Sequence, residues 1–495
     1  MAYRIRPEEI QDVVARVRSR YGTESGNSPG GTATPSPSAR PLPIAASGPS
    51  GGALGGGVFP TIDEAVEAAW TAFQTYREMG LEQRHRIIDA VRRSMRERTD
   101  ELSRRAWQET GLGRYEDKIE KNRLVIERTP GPEDLEPRVV TGDRGMMLTE
   151  YAPFGVVAAI TPTTNPTATI INNTIAVVSA GNALVFNVHP NAKQVSVDNI
   201  RWLNQAITEA GGPPNLVTGI PEPTLESAQA LMAHPKARIL LVTGGPGVVK
   251  AALATPKRAI TAGPGNPPVV VDETADLRVA AAGIVRGASF DNNVICTDEK
   301  EVFVVESVAD RLLQRVSAEK AHLLTPEQVK QIEKVIFKEL GAPNKPGKIN
   351  PKWIGQNAGK ILSEIGVPAG DDLRLLVAEV PVHHSLVWTE QMMPVMPVVR
   401  VANVDLAIDL AVRAEHGFGH TASIYSQRVD TITRMARAIN CSIFTANGPN
   451  LKGLAAGGEG YTSFSIASPT GEGLTRPRSF SRERRLTIAD GLRIV

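Results

Sequence analysis

A cysteine in polar surroundings is the first candidate for chemistry in this chain. Cys296 is one of two cysteines among 495 residues, and it follows Asp291, Asn292 and Asn293 where an apolar helical pattern gives way to a strand. A cysteine at a polar junction can lose its proton and attack a carbonyl carbon, whereas a buried structural thiol is the alternative. Because an ordinary thiol with a pKa of about 8.5 is only slightly ionised at neutral pH, a nucleophilic Cys296 would need a site that promotes ionisation.

A loop stiffened by two prolines follows the apolar segment 155–160 and presents Thr161, Thr163 and Asn165. The prolines restrict the backbone and would aim the side-chain amide of Asn165. Ligands of open parallel sheets bind beyond the carboxyl ends of the strands, which is where this loop would lie. Taken alone, Asn165 could equally be an ordinary loop residue.

A glycine-rich turn joins the apolar segment 239–242 to the helical pattern 248–253. Gly244, Gly245 and Gly247 would leave backbone N–H groups free at a helix N-terminus, an arrangement that binds phosphate groups. The turn lacks a full GxGxxG sequence, and a tight turn without a ligand fits it equally well.

The segment 261–267, Thr-Ala-Gly-Pro-Gly-Asn-Pro, is a third stiff loop, and it contains Gly263. None of its side chains is ionisable. By itself it predicts a connection between a helix and a strand.

Apolar segments alternate with helical patterns from residue 151 onward. Unbroken apolar strands separated by helices are typical of parallel sheets buried on both faces. The sequence therefore predicts an α/β, doubly wound architecture, preceded by helices rich in Arg and Glu over 63–128. The predicted strands are 155–160, 183–188, 215–218, 239–242, 269–271 and 302–305, and helices are predicted over 191–210 and 224–233.

Composition narrows the class of protein. A formal net charge of +2, with 41% hydrophobic and 22% charged residues, gives no reason to expect a nucleic-acid or membrane partner. Two cysteines cannot build a disulfide framework, and no apolar run reaches the roughly 18 residues of a membrane span. No residues show the spacing of a metal site. We expect a cytosolic enzyme without a metal.

The N-terminal region differs from the rest of the chain. Residues 1–21 predict a short amphipathic helix with one apolar stripe, whereas 22–57 are almost entirely Gly, Ser, Pro, Ala and Thr and predict a disordered linker. A helix on such a tether is typical of a docking peptide. The alternatives are a terminus that packs back on its own domain and a membrane-surface contact.

Taken together, these motifs resemble the aldehyde dehydrogenase superfamily, and more narrowly the CoA-acylating aldehyde dehydrogenases of bacterial microcompartments. The resemblance covers 58–495 and depends on the joint order of motifs that are each weak. They are Thr164-Asn165-Pro166, His189-Pro190, Gly263-Pro264-Gly265-Asn266, the stretch 289–300 around Cys296, Met392-Met393-Pro394-Val395 and the stretch 415–423.

The resemblance implies an aldehyde-dehydrogenase-like fold with two doubly wound domains. An NAD-binding domain would cover 58–262, a catalytic domain 263–445, and a C-terminal segment over 446–495 would return to the first domain. That segment and a hairpin near 137–151 would form an oligomerisation arm, so a homodimer or homotetramer is expected.

The resemblance also implies a reaction. The Cys296 thiolate would attack a short-chain aldehyde, propanal or acetaldehyde, and Asn165 with the backbone N–H of Cys296 would hold the oxyanion. A hydride would pass to NAD, and the thiol of coenzyme A would then remove the acyl group reversibly. His420 would either assist proton release from coenzyme A or only pack. The implied cofactor-binding residues are Thr161, Thr163, Asn187, His189, Gly244, Gly245, Gly247, Gly263 and Glu390.

Two points stay open within the resemblance. Asn187 stands where the superfamily places a lysine against the adenosine ribose, so the choice between NAD and NADP is unsettled. Hydrolytic relatives place a glutamate in the loop that corresponds to 261–266, and here no carboxylate is present, because Glu273 follows the strand 269–271 and is not expected to reach the site. Water therefore lacks its base.

Several alternatives remain from sequence alone. They are a hydrolytic aldehyde dehydrogenase, a semialdehyde reductase that acts on acyl phosphate, a thiol hydrolase without a nucleotide, and an inactive scaffold protein. In the favoured interpretation, residues 1–21 dock on a microcompartment shell protein, and the enzyme lies in the compartment lumen within the cytoplasm.

Overall fold

Four amphipathic helices begin the described part of the chain, residues 54–495 of a computed structural model. Each has acidic residues in its first turn, which favours the positive end of the helix dipole. The helices predicted over 63–128 are therefore confirmed. These elements are α1 (Ile62–Tyr76), α2 (Leu81–Glu97), α3 (Thr99–Thr110) and α4 (Tyr115–Arg128), followed by strands β1 (Arg138–Gly142) and β2 (Gly145–Pro153).

A five-stranded parallel sheet comes next. Its central strands are buried along their whole length, which explains their unbroken apolar sequences. The elements are β3 (Val156–Ile160), α5 (Pro166–Ser179), β4 (Ala183–Asn187), α6 (Lys193–Glu209), β5 (Val217–Gly219), α7 (Leu225–Ala233), β6 (Ala237–Thr243), α8 (Pro246–Leu253) and β7 (Arg258–Ala262). The strand order is β5-β4-β3-β6-β7.

A seven-stranded parallel sheet carries the second half of the chain, in the order β10-β13-β14-β9-β8-β15-β16. Its strands are β8 (Pro268–Val271), β9 (Glu301–Val305), β10 (Ala321–Leu323), β13 (Leu375–Glu379), β14 (Val395–Val401), β15 (Thr421–Tyr425) and β16 (Ile443–Ala446). The intervening elements are α9 (Leu277–Ser289), α10 (Glu306–Val316), α11 (Pro326–Ile336), the short pair β11 (Phe337–Glu339) and β12 (Lys348–Ile349), α12 (Ala358–Ser363), α13 (Val404–Ala414) and α14 (Val429–Ile439).

The C-terminal residues return to the first half of the chain. After the short pair β17 (Ile466–Ala467) and β18 (Gly473–Leu474), strand β19 (Ser481–Ala489) pairs antiparallel with β2 over nine residues, and β1 pairs with the other edge of β2. Whether this three-stranded arm joins subunits stays a prediction, as do the domain boundaries. Within residues 54–495, no helix has both the length and the apolar character needed to cross a bilayer.

The predicted α/β architecture with parallel sheets is confirmed, and each of the six predicted strands is present with slightly shifted ends. The prediction of one loop over 261–267 is wrong at its start, because Thr261 and Ala262 complete β7, opposite Val242 and Thr243 of β6. The predicted helix 1–21 and the linker up to residue 53 lie outside the described residues.

The connection between the two large sheets positions the candidate site. Strand β7 ends at Ala262 and β8 begins at Pro268, so residues 263–267 run from the carboxyl edge of one parallel sheet to the amino edge of the other. Cys296 precedes β9 and His420 precedes β15, so both lie at that amino edge. The site is therefore built where two opposite sheet edges meet.

Candidate active site

A left-handed turn places the candidate nucleophile. Asp291, Asn292 and Asn293 have φ values of 44°, 55° and 65°, and all three are buried. Three successive non-glycine residues in this region are strained and persist only when their surroundings fix them. The side chain of Asn292 donates to the carbonyl of Gly355 at 2.8 Å, and that of Asn293 donates to the carbonyl of Ala288 at 2.9 Å. The segment before Cys296 is thus held by its own side chains.

The surroundings of Cys296 disfavour the thiolate in the free protein. Desolvation raises the pKa of the Cys296 thiol to about 12, and the nearby Glu390 carboxylate adds to this rise, against the opposing charge of Lys300. This direction is opposite to the one expected for a nucleophile, and promotion of ionisation by the site stays a prediction. Loss of the Glu390 charge would lessen the rise, whereas desolvation, its larger cause, would remain.

Asn165 lies at the N-terminal end of α5 and is 7% exposed. Its amide oxygen Oδ1 accepts a hydrogen bond from Lys121 Nζ at 2.7 Å, and its Nδ2 lies 3.3 Å from Thr164 Oγ1. The amide therefore presents its nitrogen away from Lys121. A fixed N–H donor is what an oxyanion requires.

A buried ionic network supports this amide. Lys121 donates also to Asp291 Oδ2, and Lys118 Nζ reaches the same oxygen at 3.0 Å. The other oxygen of Asp291 accepts from the backbone N–H of Arg114 at 2.7 Å. Although burial opposes ionisation, the two lysines hold the pKa of Asp291 below its ordinary value. Asp291 is therefore an anion between two cations.

A third group of residues meets beside the nucleophile. Glu390 Oε1 accepts a hydrogen bond from the backbone N–H of Gly265 at 3.3 Å. A Cβ atom placed on Gly265 would lie 2.5 Å from the carbonyl oxygen of Cys296 and 3.1 Å from Cγ of His420. The structure thus brings the 263–267 loop, Cys296, Glu390 and His420 together. Burial raises the pKa of Glu390, so this carboxyl group is readily protonated for its type.

Apart from Glu390, the predicted cofactor residues lie at the carboxyl edge of the five-stranded sheet. Thr161 and Thr163 follow β3, and their hydroxyl oxygens are buried without a partner in the described residues. Gly245 is the N-cap of α8 and Gly247 lies in its first turn, and a Cβ atom on either would meet no atom within 4 Å. Gly263 follows β7 at the same edge, and Gly244 N donates to the carbonyl of Ala262 at 3.1 Å. Unpartnered hydroxyls, an open glycine turn and a helix N-terminus fit a dinucleotide with its phosphates.

Asn187 and His189 make local contacts at the end of β4. Asn187 Oδ1 accepts from Ser227 Oγ at 2.5 Å, at the capped start of α7. His189 Nδ1 accepts from the backbone N–H of Asn191 at 3.1 Å, and burial lowers its pKa, so its imidazole is neutral near pH 7. Their roles towards a cofactor stay predictions.

Two further residues, Glu273 and Cys441, lie away from this cluster. Glu273 pairs with Arg428 at 2.7 Å and lies at the other end of β8 from the 263–267 loop. Cys441 is half-buried, and its thiol donates to the carbonyl of Ile443 at 3.0 Å. Across residues 54–495, no three His, Cys, Asp or Glu side chains are grouped so as to hold a metal ion.

Comparison with known proteins decides the family. The model of the aldehyde dehydrogenase family matches residues 59–332 and 375–471. The chain belongs to this family. The matched residues include both large sheets and every residue of the candidate site.

Among its relatives are CoA-acylating enzymes. The acetylating acetaldehyde dehydrogenase of Salmonella typhimurium is 50% identical over 440 residues, which cover 89% of this chain and 94% of that protein. A propionaldehyde dehydrogenase from Rhodopseudomonas palustris, solved with bound CoA and an acylated cysteine, has a TM-score of 0.86 at 46% identity and covers 89% of this chain and 100% of that one. The predicted relationship to the CoA-acylating aldehyde dehydrogenases is confirmed.

A third relative comes from a microcompartment. The propionaldehyde dehydrogenase of the Clostridium phytofermentans fucose utilisation bacterial microcompartment has a TM-score of 0.85 at 41% identity, and covers 89% of this chain and 100% of that chain. As an aldehyde dehydrogenase, this chain is an oxidoreductase.

Sequence analysis missed the lysines of the site. The buried face of α4 runs through Asp117, Lys118, Lys121 and Asn122 before it reaches Val125 and Ile126. The signal was available: charged residues continue an apolar stripe into positions that should be core, and buried charges of this kind need partners. Sequence alone could not say which residues those partners were.

Proposed function

We propose that this protein catalyses the NAD-dependent oxidation of a short-chain aldehyde to its acyl-CoA, through a thioester on Cys296. The observation that carries the proposal is the contact between Gly265 and the backbone of Cys296. A loop without ionisable side chains, 263–267, therefore lies against the backbone of the nucleophile. The carboxyl group nearby, Glu390, accepts a hydrogen bond from Gly265, so we expect the acyl-enzyme to wait for a second thiol, as the CoA-bound and acylated relative suggests.

The chain's own residues account for the first bond to form. The Cys296 thiol first loses its proton to solvent, and the thiolate then attacks the aldehyde carbon, whose carbonyl oxygen becomes an oxyanion. The Nδ2 of Asn165 and the backbone N–H of Cys296 donate hydrogen bonds to it. Removing one such donor typically costs about 3–4 kcal/mol of transition-state stabilisation. The hydrogen bond from Lys121 to the amide oxygen supports this role, because it would orient the amide before the reaction.

The remaining steps divide between oxidation and acyl transfer. A nicotinamide held at the carboxyl edge of the five-stranded sheet would supply the acceptor for the hydride of the tetrahedral carbon. The acyl group then stays on Cys296 as a thioester until the sulfur of coenzyme A attacks it, and the bond to the Cys296 sulfur breaks. Because one thioester replaces another, the exchange is nearly balanced, and the enzyme should also run in reverse.

The carboxyl edge of the five-stranded sheet would bind the cofactor. The N-terminus of α8, with Gly244, Gly245 and Gly247, suits the pyrophosphate. Glu390 would bond the nicotinamide ribose, and a shift of its carboxylate towards the ribose would also reduce its effect on the pKa of Cys296. We name NAD rather than NADP because Asn187 offers no positive charge for a 2′-phosphate.

The aldehyde is propanal or acetaldehyde. The relatives include an acetaldehyde and a propionaldehyde enzyme at similar identity. One methylene group is worth only about 1–3 kcal/mol of discrimination in an apolar pocket. Turnover of aldehydes of increasing chain length, with and without coenzyme A, would rank them.

We also propose a location in a microcompartment lumen and a dimeric or tetrameric assembly. The relative from the Clostridium microcompartment and the apolar stripe of residues 1–21 support the first part. The arm formed by β1, β2 and β19 supports the second, because Val139, Val140 and Leu486 are exposed on it. A shell protein would then be the partner of residues 1–21.

A single-turnover experiment tests the activity. Protein is mixed with NAD and propanal without coenzyme A, and the intact protein and its peptides are weighed. The expected result is one propanoyl group on Cys296, almost no free propanoate, and release of propanoyl-CoA when coenzyme A is added. Cys296→Ala should abolish the adduct, whereas Cys441→Ala should keep it.

The same mixtures separate the alternatives. Rapid release of free acid would favour a hydrolytic aldehyde dehydrogenase, with Glu390 as the carboxyl group nearby. Release by phosphate instead of coenzyme A would favour an acyl-phosphate reductase. A protein that forms no adduct and no NADH would overturn the proposal.

A further inference from the structure

A buried lysine determines which way the candidate oxyanion donor faces. Lys121 Nζ lies 2.7 Å from Asn165 Oδ1. An asparagine side chain has one accepting oxygen and one donating nitrogen, and an ammonium group can only donate. The atom that faces Lys121 must therefore be the oxygen. With the oxygen held, the Nδ2 donor can point only to the other side.

Lys121 is itself held in place. Its ammonium group donates to Asp291 Oδ2 and lies 3.4 Å from the carbonyl oxygen of Thr164. Lys121 is 2% exposed and Asp291 is fully buried. A buried ammonium group with three anionic or carbonyl partners has no water to exchange with and a single favourable position.

Asp291 connects this lysine to the nucleophile segment. It occupies the left-handed turn that ends three residues before Cys296, and the backbone N–H of Arg114 donates to its Oδ1 at 2.7 Å. Gly113 lies against the same oxygen, because a Cβ atom there would clash with it at 1.9 Å. One carboxylate thus fixes the turn before Cys296 and, through Lys121, the amide of Asn165.

We infer that Lys121 and Asp291 are positioning residues for the oxyanion site: Asp291 fixes Lys121, and Lys121 fixes the orientation of the Asn165 amide. The inference depends on the proposed function, because it assumes that Asn165 stabilises an oxyanion. Neither residue touches the substrate. Their effect is therefore expected on the rate of acylation and not on aldehyde binding.

Lys118 provides a matched comparison on the same helix. It reaches the same oxygen of Asp291 at 3.0 Å and is buried to the same degree, but it makes no hydrogen bond to Asn165. If the ionic network as a whole supports the rate of acylation, Lys118→Met and Lys121→Met should lower that rate alike. If Lys121 acts through Asn165, only Lys121→Met should lower the rate.

The test is a double-mutant cycle on the rate of acylation of Cys296, measured by rapid quenching and mass spectrometry. Asn165→Ala is expected to slow acylation by about 100- to 1,000-fold, the usual effect of losing an oxyanion donor. Lys121→Met is expected to slow it by about 10-fold or more with aldehyde KM changed by less than about threefold. In the Asn165→Ala background, Lys121→Met should cause no further loss, whereas Lys118→Met should have the same effect in both backgrounds.

Each result has a meaning. If Lys121→Met slows the Asn165→Ala variant as much as it slows the wild type, Lys121 acts through the turn or the fold and the inference is wrong. The inference is also wrong if the wild type is acylated and Lys121→Met leaves the rate of acylation unchanged. Absence of an adduct in the wild type would instead defeat the proposed function. Thermal unfolding shows whether each variant folds. If Lys121→Met does not fold, the cycle is run with Lys121→Gln. That variant is expected to lose less of the acylation rate, with the same dependence on Asn165.

Discussion

Glu390 Oε1 accepts a hydrogen bond from the backbone N–H of Gly265 at 3.3 Å, and this contact keeps a carboxylate near the thiol of Cys296. In the free protein the Glu390 charge therefore disfavours the thiolate, in addition to burial. A neutral or displaced Glu390 would remove the second cause of the raised pKa, whereas desolvation, the first cause, would remain.

Replacing Glu390 by Gln should lower the pKa of Cys296. The amide keeps an oxygen that can accept from Gly265 but removes the negative charge that opposes ionisation. The pH dependence of Cys296 alkylation by iodoacetamide, measured without cofactor, should shift to lower pH. Glu273→Gln is the control, since Glu273 pairs with Arg428 away from the site. An unchanged profile, or a shift to higher pH, would contradict the arrangement.

The glycine turn at α8 gives a second prediction, about the cofactor. A Cβ atom on Gly247 would meet nothing within 4 Å, and alanine favours a helix over glycine by about 1 kcal/mol. Gly247→Ala should therefore leave the unfolding temperature unchanged or slightly higher. If the pyrophosphate approaches this turn, the added methyl group should weaken NAD binding by about 10-fold or more.

Calorimetric titration of the free protein with NAD and, separately, NADP measures this effect. Gly142→Ala is the control, because its Cβ would also meet nothing within 4 Å and it lies on β1. If Gly247→Ala leaves the NAD affinity unchanged, the cofactor does not approach this turn. Tighter binding of NADP than of NAD in the wild type would contradict the choice based on Asn187.

Local sequence was sufficient for the central strands. The segments that became β3 and β4 are apolar throughout because both faces of the sheet are covered, and such runs are legible without tertiary information. Strand β14 was missed, and it contains Pro397, which normally argues against a strand. Strand β7 was not among the predicted strands. One reason is that its first residue, Arg258, is exposed, and another is that Thr261 comes shortly before a glycine loop.

The candidate site was predictable only where its chemistry lies in one motif. Cys296 and Asn165 could be proposed from their neighbours, but the contact between Asn165 and Lys121 joins residues 44 positions apart, and that between Lys121 and Asp291 joins residues 170 apart. No local pattern contains these pairings. The direction of the Cys296 pKa shift was likewise unpredictable, because it follows first from desolvation of the thiol and then from the charge of Glu390, and both depend on the fold.

Removal of residues 1–21 should separate catalysis from location. These residues precede the described part of the chain, and the candidate site is built wholly from residues after 112. The truncated protein is therefore expected to keep acyl-CoA formation within about twofold while it no longer co-purifies with shells when it is expressed with shell proteins. Residues 1–21 fused to an unrelated fluorescent protein are the complementary control. Collapse of catalysis on truncation would show that the segment is structural instead.

The contribution of His420 to the free energy of unfolding should decrease as the solution is acidified. Burial lowers its pKa to about 4, and Lys300 adds to the effect. His420 Nδ1 lies 2.7 Å from Thr421 Oγ1, and its ring contacts Gly265. Between an unfolded-state pKa of about 6.5 and the folded value of about 4, the unfolded chain holds more protons than the folded protein. The contribution of His420 to the free energy of unfolding is therefore fully present above about pH 6.5 and is lost as the pH falls towards 4.

Replacing His420 by Gln should remove this dependence, which amounts to at most about 3 kcal/mol between pH 7 and pH 4. The free energy of unfolding of wild type and His420→Gln should be compared at each pH, because Glu299, whose pKa burial raises to about 7, changes stability in the opposite direction in both proteins. The wild type should lose its advantage over the variant as the solution is acidified. A difference between the two that is constant from pH 7 to pH 4.5 would show that the imidazole takes up a proton in the folded protein as readily as in the unfolded chain, and that His420 is not the desolvated neutral group that its contacts imply.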